Sequence, residues 1–285
     1  MRRVNNQFKD RVAIVTGGAS GIGRALCEEL GQRGAVVIVA DIKTKIAQQV
    51  ASAIVATGGR ARAAYLDVSQ AQDVEKLIDE TASEHGRLDY MFNNAGIAIA
   101  GEVRDMSLEH WRSIVDVNLW GVIYGTTIAY SLMVRQGFGH IVNIASLAGL
   151  TGYPTGTPYA TTKHGVVGLS TSLRQEAAGL GVKVSVVCPG LIQTGIYEAI
   201  TVLNARHEDM LDRLEDMLAR IPFKLIMDAR EAARAILRGV ARNQAVITIP
   251  FYVRLLWWLH RLHPSLLAPL FRRIVKEFRM LRNKS

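Results

Sequence analysis

Cysteine is nearly absent from this chain, which has only Cys27 and Cys188 among its 285 residues. Two distant cysteines cannot build a disulfide framework, and their separation does not match the ligand spacing of a zinc site. We therefore expect both to be small buried residues of a reduced, intracellular protein, and we predict no metal site.

Long apolar runs are also missing, because no stretch approaches the roughly 18 consecutive apolar residues of a membrane-spanning helix. Residues 1–10 include two arginines but no apolar segment, so they do not resemble a signal peptide. Hydrophobic residues make up 49% and charged residues 21% of the chain, an ordinary balance for a globular protein with a sizeable core. These features predict a cytoplasmic protein.

Acidic residues are scarce near the C-terminus, where residues 250–285 contain eight basic residues and one acid, Glu277. Eight bases minus one acid give +7, which is most of the formal net charge of +9. The remainder is nearly balanced, which argues against a nucleic-acid partner bound over the body of the protein. The basic residues are Arg254, Arg261, Arg272, Arg273, Lys276, Arg279, Arg282 and Lys284.

A glycine-rich turn lies between an apolar strand at residues 11–16 and a helical pattern that runs to Leu30. The turn has the sequence Thr-Gly-Gly-Ala-Ser-Gly-Ile-Gly, residues 16–23. Glycines let a backbone turn tightly and approach a pyrophosphate, whose charge then meets the N-terminus of the helix. The order strand, turn, helix favours a dinucleotide site over a glycine turn without a ligand, although the spacing differs from the commoner Gly-x-Gly-x-x-Gly.

A second apolar strand, residues 35–40, ends at Asp41. An acid at this place accepts hydrogen bonds from the ribose hydroxyls and repels a 2′-phosphate. Ser20, within the turn, is not basic, and Lys43 is the one nearby cation. We predict NAD in preference to NADP, with a helix N-cap as the alternative role for Asp41.

Helix and strand patterns continue to alternate as far as residue 250, which predicts an α/β fold with a parallel sheet. A long helix follows Ser107, a plausible N-cap, and contains Asn118 and Gly121, which are poor residues for a helix interior and predict a kink or a bound water. Helices are predicted over residues 42–56, 71–85 and 231–240, and strands over 61–66, 88–92, 139–145, 182–187 and 245–250.

Tyr159 and Lys163 are four residues apart, so they share one face of a helix, one turn apart. A neighbouring ammonium favours the phenolate and lowers the pKa of a tyrosine from its usual value of about 10. Such a phenol could take a proton from an alcohol or give one to a ketone. By itself, this spacing favours a chance surface pair, and only its context favours chemistry.

The order of these motifs resembles that of the short-chain dehydrogenases/reductases over residues 8–250. The resemblance implies a single Rossmann-like domain at residues 1–250, with a doubly wound parallel sheet of about seven strands, helices on both faces and a helical substrate lid at about residues 191–227. It also implies hydride transfer with a nicotinamide cofactor. The resemblance is carried by the glycine turn, residues 67–68 (Asp-Val), residues 93–96 (Asn-Asn-Ala-Gly), Asn118, Ser146, residues 159–163 (Tyr-Ala-Thr-Thr-Lys), and Pro189-Gly190 with Thr194.

Four catalytic residues are implied by this resemblance. Tyr159 becomes the general acid/base, and Ser146 holds the same substrate oxygen at the end of its strand. Lys163 lowers the pKa of Tyr159 and binds the nicotinamide ribose, and Asn118 keeps a water in a proton relay. The alternatives are a strand-end turn residue at Ser146 and a structural amide at Asn118. Implied cofactor-binding residues are Gly17, Ser20, Gly21, Ile22, Gly23, Asp41, Asp67, Val68, Asn94, Ala95, Gly96, Tyr159, Lys163, Pro189, Gly190, Ile192 and Thr194.

The predicted lid contains one helix with an apolar stripe. This stripe could pack on the body of the protein or face a substrate, since adaptable methionines suit apolar ligands. The stripe consists of Met210, Leu214, Met217, Leu218 and Ile221. The predicted substrate pocket, which favours an apolar alcohol or ketone over a sugar, comprises Leu147, Tyr153, Tyr197, Met210 and Leu214.

Residues 251–285 form a basic, aromatic C-terminal extension. Arg254 and Arg261 interrupt its apolar residues too often for a membrane span, but this mixture is typical of an interfacial helix. Pro264 and Pro269 are expected to divide it. Peripheral membrane contact is one interpretation, and packing on a second subunit or over the substrate entrance is the other.

The leading hypothesis is an NAD(H)-dependent enzyme that interconverts a secondary alcohol and a ketone on a lipophilic substrate. One alternative is an NADPH-linked reductase of carrier-bound 3-oxoacyl groups, against which Asp41 and Ser20 argue. Another is a dinucleotide-binding regulatory protein without turnover, against which the intact set of four catalytic residues argues. The resemblance also implies a homodimer or a homotetramer.

Overall fold

The computed structural model describes residues 7–194, 200–219 and 225–282, without the side chains of residues 214–219 and 282. Eleven strands lie in this part of the chain. They are β1 (Val12–Thr16), β2 (Val36–Asp41), β3 (Arg60–Tyr65), β4 (Tyr90–Asn93), β5 (Ile99–Ala100), β6 (Gly139–Ile144), β7 (Val182–Pro189), β8 (Ile192–Gln193), β9 (Thr201–Val202), β10 (Met227–Asp228) and β11 (Val246–Ile249).

Ten α-helices are described between and after these strands. They are α1 (Gly21–Gln32), α2 (Thr44–Ala56), α3 (Ala71–His85), α4 (Leu108–Val115), α5 (Gly121–Gln136), α6 (Thr157–Glu176), α7 (His207–Ala219), α8 (Ala229–Ala241), α9 (Phe251–Leu262) and α10 (Ala268–Arg282).

Seven strands form one parallel sheet in the order β11-β7-β6-β4-β1-β2-β3. The predicted α/β fold with a doubly wound sheet is therefore confirmed. The chain runs outward from β1 to β3 and then returns to the other side of β1 at β4, so the order reverses between β1 and β4. Open parallel sheets bind their ligands at such a switch point, outside the carboxyl ends of the strands.

The core lies on both faces of the sheet because successive side chains of a strand point to opposite sides. Val15 of β1 faces the layer made by α1, α2 and α8, which contributes residues such as Leu30 and Ile236. Ile14 faces the opposite layer, with Ile78 of α3 and Met133 of α5. Strands buried on both faces explain the continuous apolar runs in the sequence. Cys27 and Cys188 are both buried and free, as expected.

The predicted strands are found within one or two residues of their expected bounds. Such differences are usual at element ends, which fray and are assigned differently by different criteria. Ser107 is confirmed as the N-cap of α4, because its side chain accepts a hydrogen bond from the His110 amide. Asn118, where a kink or a bound water was predicted, lies in a π-helical turn, Asp116–Trp120, between α4 and α5.

Helices α4 and α5 and the π turn form one continuous helical run, Leu108–Gln136. By length and composition alone this run passes for a membrane span, with a mean hydropathy of 1.3. Core helices pass the same test, and here Val122, Ala129 and Met133 are buried against the protein. One face of the run therefore packs in the core, and 39% of its most apolar window is buried.

The C-terminal extension folds as two helices, α9 and α10, separated by a 3₁₀ turn that begins at Pro264. The expected division is present, and Pro269 lies in the first turn of α10, where proline is tolerated. Val253 of α9 is fully buried against the sheet end, and Phe278 of α10 is buried as well. Arg213 of α7 pairs with Glu277 of α10. The extension thus packs on the body and on the lid helix.

A buried histidine gives the fold an acid-sensitive group. His140 of β6 is 2% exposed, and burial lowers its pKa to about 3. Its Nε2 lies 2.8 Å from the Ser185 hydroxyl, which donates its own hydrogen to the Gln244 carbonyl at 2.6 Å. Nε2 therefore carries the histidine proton and donates to Ser185. His140 is neutral in the folded protein at pH 7.

Acidification should weaken folding through His140. Its folded pKa lies below the ordinary value of 6.5, so the unfolded chain binds more protons between these two pH values. We expect the free energy of unfolding to fall by about 2 kcal/mol more in the wild type than in His140→Gln between pH 7 and pH 5. Urea unfolding at both pH values measures this difference. The exposed His164→Gln is the matched control, and equal pH slopes in all three proteins would contradict the prediction.

Candidate active site

The glycine turn connects β1 to α1 at the switch point of the sheet. Gly17 has φ +65° and Gly21 has φ +53°, values that favour glycine. A Cβ atom on Gly17 would lie 2.9 Å from the Cα of Ala95, which follows β4. The backbones of the two loops therefore approach each other too closely for a side chain between them.

Residues after β4 hold the glycine turn in place. The Asn94 side chain donates to the carbonyls of Thr16 and Gly17, at 2.9 and 3.3 Å. In return, the Thr16 hydroxyl accepts from the amides of Asn94 and Ala95, at 2.9 and 3.0 Å. The predicted cofactor residues at 94–96 thus support the predicted turn at 17–23 directly.

The N-terminus of α1 fits a bound anion. Ser20 is its exposed N-cap, and the Ser20 side chain makes no capping hydrogen bond. The first intrahelical hydrogen bond at this end is donated by the Arg24 amide to the Ser20 carbonyl, so the amides of Gly21, Ile22 and Gly23 are the open donors of the first turn. These donors and the helix dipole favour a phosphate group.

Asp41 lies at the end of β2 with both carboxylate oxygens engaged. Oδ2 accepts from the Ala19 amide of the glycine turn at 3.0 Å, and Oδ1 accepts from the Lys43 amide at 2.9 Å. Lys43, and not Asp41, is the N-cap of α2. The alternative role of Asp41 as a helix N-cap is therefore wrong, and its carboxylate instead braces the turn from the adjacent strand end.

Asn118 sits in the π turn and is fully buried. Its side chain makes two hydrogen bonds of 2.8 Å with the backbone of Ile97, one accepted from the amide and one donated to the carbonyl. A Cβ atom on Gly96 would lie 3.2 Å from the Asn118 Oδ1 and 3.7 Å from the Lys163 Nζ. Asn118, Lys163 and the loop after β4 are therefore in one place, as expected.

Tyr159 and Lys163 lie one turn apart on α6, facing the carboxyl end of β6. The Lys163 ammonium donates to the carbonyl of Ile144, the last residue of β6, at 2.9 Å. It also lies 5.5 Å from the centroid of the Tyr159 ring. Ser146, two residues beyond β6, lies within hydrogen-bonding reach of the Tyr159 side chain and accepts from the Ala148 amide at 3.1 Å. The three predicted side chains thus converge.

The predicted lowering of the Tyr159 pKa is wrong for the protein chain. Burial raises the pKa of Tyr159 to about 12, and the hydrogen bond with Ser146 opposes that rise. Burial also lowers the pKa of Lys163 to about 8. The ammonium bonds the Ile144 carbonyl and lies over the ring instead of bonding the phenol oxygen, so desolvation outweighs its attraction for a phenolate.

The loop after β7 carries the next predicted cofactor residues. The Gly190 amide donates to the Ile249 carbonyl at 2.7 Å, and a side chain on Gly190 would collide with the Tyr252 hydroxyl. Ile192 is buried in β8. Thr194 reaches the glycine turn, since a Cβ atom on Gly21 would lie 3.1 Å from the Thr194 Cβ.

Asp67 and Val68 lie at the carboxyl end of the sheet, after β3. The Asp67 Oδ1 accepts from the Ser69 amide and hydroxyl at 3.0 and 2.7 Å. Val68 is buried, and its Cγ2 would lie 2.8 Å from a Cβ atom on Gly121 of α5. Only glycine therefore lets α5 approach this loop, which explains a residue that the sequence had marked only as a poor helix former.

Two sets of supporting residues were missed in the sequence. Asn143 of β6 accepts from Asn93 of β4 at 2.8 Å and donates to Ser170 of α6 at 3.0 Å, all three being buried. Asn93 belongs to the motif at residues 93–96, so only Asn143 and Ser170 of this set were missed, and the signal for Asn143 was a polar side chain inside an apolar strand. The second is Tyr252 of α9, whose hydroxyl accepts from the Leu191 amide at 2.7 Å. Nothing in the sequence pattern placed that residue beside the site.

The predicted pocket residues are placed only in part. The Tyr153 ring packs against that of Tyr159, with centroids 6.0 Å apart. Leu147 is half-buried in the 3₁₀ turn after Ser146, and Met210 is half-buried on α7. Tyr197 and the side chain of Leu214 lie outside the described residues, as do the other stripe side chains at 217, 218 and 221.

The C-terminal extension lies beside Tyr153, one of the predicted pocket residues. A Cβ atom on Gly152, next to Tyr153, would lie 3.3 Å from the ring of Phe271 on α10. Arg279 of α10 bonds Glu102, in the loop after β5, at 2.6 Å. Helix α10 therefore touches the loop that carries Tyr153.

The site fits a dinucleotide on the observations above. It offers a glycine turn without space for side chains, the open amides of α1 and an acid at the end of β2. Gly96, Asn118 and Lys163 close the other end of the crevice, beside Tyr159 and Ser146. The phosphates, the ribose and the nicotinamide ring of a bound dinucleotide would then lie along the carboxyl ends of neighbouring strands.

Comparison with known proteins agrees with this geometry. Residues 11–202 match the family model of the short chain dehydrogenases. The chain belongs to the short-chain dehydrogenase/reductase family, and it is an oxidoreductase of that family. The resemblance identified from the motifs is thereby confirmed.

Individual relatives differ in what they act on. A cyclohexanol dehydrogenase from Acinetobacter sp. (strain SE19) is 36% identical over 232 residues, which cover 79% of this chain and 92% of the relative. A 3-oxoacyl-[acyl-carrier-protein] reductase from Haemophilus influenzae is 33% identical over 229 residues, covering 80% and 90%. A short chain dehydrogenase/reductase from Burkholderia phymatum, solved in complex with NAD, has a TM-score of 0.81 and 28% identity, covering 91% of this chain and 96% of that one.

Proposed function

We propose that this protein interconverts a secondary alcohol and a ketone on a lipophilic substrate, with NAD(H) as its cofactor. The observation that carries this proposal is the convergence of Tyr159, Ser146 and Lys163 at the carboxyl end of β6, beside the glycine turn on β1. When bound, the nicotinamide ring supplies the hydride chemistry, and the protein supplies position and proton transfer.

Proton transfer is assigned to Tyr159. In the oxidation direction its phenol oxygen takes the hydroxyl proton of the substrate, and in reduction it returns a proton to the carbonyl oxygen. Ser146, in the loop that follows β6, holds the same substrate oxygen by a hydrogen bond. Lys163 supplies a positive charge beside the phenol and would hold the nicotinamide ribose. Asn118 fixes the loop at Ile97, and its part in a water relay stays a prediction.

The buried site favours one protonation state at neutral pH. With its pKa raised to about 12, Tyr159 keeps its proton and is ready to donate it to a ketone. Oxidation needs the phenolate, so its rate should rise with pH until the phenol titrates. A hydrogen bond from the substrate hydroxyl would lower the pKa of Tyr159, and so would the positive charge of a bound oxidised nicotinamide ring.

A preference for NAD over NADP follows from Asp41. Its carboxylate lies at the end of β2, 3.0 Å from the amide of Ala19 in the glycine turn, where a ribose would bind. A 2′-phosphate at this place would meet a negative charge. The open amides at the start of α1 and Thr194 would hold the pyrophosphate.

An apolar substrate is supported by the residues around Tyr159. Tyr153 packs on its ring, Leu147 is half-buried in the turn after Ser146, and Phe271 approaches Gly152 from α10. The similarity to a cyclohexanol dehydrogenase supports a cyclic or branched apolar alcohol. The proposal also covers assembly and location. The protein forms a homo-oligomer in the cytoplasm, and its C-terminal extension contacts a membrane surface.

A second candidate function is the reduction of carrier-bound 3-oxoacyl groups. The similarity to the Haemophilus influenzae reductase favours it, and the acid at position 41 argues against an NADPH-linked form. A binding protein without turnover is the least supported candidate, since binding alone does not need a phenol, a serine and an ammonium in contact.

A substrate screen tests the proposal. The protein should reduce NAD with secondary apolar alcohols such as cyclohexanol, with a KM between about 1 μM and 1 mM. Absorbance of the reduced cofactor measures the rate, and the same assay with NADPH and a 3-oxoacyl thioester tests the second candidate. Turnover of the thioester alone would replace the leading proposal, and no turnover with any substrate would support the binding protein.

A further inference from the structure

We propose that the outward face of helix α9, together with the start of α10, docks on an anionic lipid bilayer. This inference rests on the proposed membrane contact and assigns it to particular residues and to a lipid charge. It also places the bilayer next to the helix that borders the substrate pocket. The relevant face comprises Phe251, Leu255, Trp258 and Leu262, called the α9 stripe below.

The α9 stripe is apolar, exposed and continuous. Its members are 81%, 53%, 56% and 72% exposed, in chain order. Successive helix residues rotate by about 100°, so positions 251, 255, 258 and 262 fall within about 60° of one another. Leu266 and Leu270 extend the exposed apolar surface toward α10, at 55% and 43% exposure. Monomeric soluble proteins seldom expose apolar patches this continuous without a partner.

The opposite face of α9 fixes the stripe in its outward position. Val253 is fully buried, and the Tyr252 hydroxyl accepts from the Leu191 amide at 2.7 Å. Trp257 packs partly against the core cluster formed by α6, β7 and their neighbours. Turning the stripe inward would break these contacts, so the protein cannot hide it by rotating the helix.

Positive charge lies along one side of the stripe and continues onto α10. Arg254 and Arg261 are exposed and lie along one border of it, and Arg272, Arg273 and Lys276 follow on α10. Across residues 7–194, 200–219 and 225–282, none of these five has an acidic partner. Exposed apolar and aromatic residues bordered by cations fit the boundary of an anionic bilayer, which attracts each nearby cation.

Charge also distinguishes the bilayer from a second copy of this chain. A partner copy would present the same stripe, with its own Arg254 and Arg261, and would bring cations toward cations. The one acid of the extension, Glu277, is already paired with Arg213 of the lid helix. A surface of opposite charge is therefore the better complement.

Docking would help the proposed reaction because it would place the predicted substrate pocket close to the bilayer. Helix α10 continues from the stripe, and its Phe271 lies against Gly152, next to Tyr153. A bilayer under α9 would thus lie beside the helix that borders the pocket. A lipophilic alcohol or ketone could enter from the lipid phase without crossing water.

Vesicle sedimentation of the full-length protein tests the docking surface. The probes are phosphatidylcholine vesicles with and without phosphatidylglycerol. Wild type should sediment with the anionic vesicles, and salt should weaken this binding. The double variant Trp258→Glu, Leu262→Glu should bind at least about tenfold more weakly, because it removes apolar burial and adds negative charge. Leu108→Glu, at an equally exposed leucine on α4 (76%), is the matched control and should bind as wild type does.

Each other outcome overturns the inference. Wild type that ignores anionic vesicles has no lipid-docking surface, and a double variant that still binds does not use the α9 stripe. Loss of binding in Leu108→Glu as well would place the contact elsewhere. If the double variant instead changes the oligomer mass by light scattering, the stripe contacts a second copy. Oxidation of a water-soluble alcohol, measured in parallel, reports on the proposed function independently of vesicle binding.

Discussion

Tyr159→Phe should lower kcat/KM for alcohol oxidation by about 10²- to 10⁴-fold, the usual contribution of a positioned acid/base. The variant keeps the ring that packs against Tyr153 and lies under the Lys163 ammonium, and it removes only the oxygen bonded to Ser146. Thermal stability should therefore change little, and cofactor affinity should fall by no more than the contribution of one hydrogen bond. Initial rates, cofactor titration and thermal unfolding measure the three quantities separately.

Tyr153→Phe is the control for this prediction. Tyr153 lies in the loop before α6, its ring packs against that of Tyr159, it is half exposed, and no proton transfer is assigned to it. The loss of the Tyr153 hydroxyl in this variant should change kcat/KM only by a small factor. Similar losses in both variants would mean that ring packing and not proton transfer limits the reaction, and an active Tyr159→Phe would exclude the proposed mechanism.

Asp41→Ala should weaken NAD binding by about 10- to 100-fold, because hydrogen bonds to a charged group contribute about 1.5–3 kcal/mol each. The same change should improve NADP binding, since it removes the negative charge that a 2′-phosphate would meet. The wild type should prefer NAD. Fluorescence titration with both cofactors gives the two dissociation constants.

Asp41→Asn separates cofactor selection from support of the turn. The amide oxygen can still accept a hydrogen bond from the Ala19 amide, which the carboxylate accepts at 3.0 Å, but the negative charge is gone. The preference for NAD should fall, and the unfolding temperature should fall less than in Asp41→Ala, because only the hydrogen bond from the Lys43 amide is lost. A wild type that prefers NADP would contradict the role given to Asp41, whatever the variants do.

The sheet could be predicted because its strands are buried on both faces. Val12 to Val15 and Val36 to Ala40 are apolar throughout, so position and direction followed from the sequence. An irregularity of the helix at Asn118 could also be predicted, because an amide and a glycine interrupt an apolar helix, and the structure has a π-helical turn there. The two-residue strands β5, β8, β9 and β10 were missed, since two residues show no period.

Motif order could predict which catalytic side chains converge, but not their electrostatics. The spacing of Tyr159 and Lys163 gave the shared helix face, yet the direction of the Tyr159 pKa depends on burial and on what the ammonium bonds. Both are tertiary properties. The contact of Phe271 with Gly152 joins residues that are far apart in the chain, and no local pattern reports such a pair.

The hydrogen bond from the Leu191 amide to Tyr252 has a practical consequence. Residue 250 looks like a natural place to shorten the chain, since the family motifs end there. Yet Tyr252, in the first turn of α9, supports the loop after β7 that carries Gly190 and Thr194. Protein engineers who trim the tail for solubility would therefore also remove a support of the cofactor crevice, so solubility is better sought by replacing residues of the α9 stripe within the full-length chain.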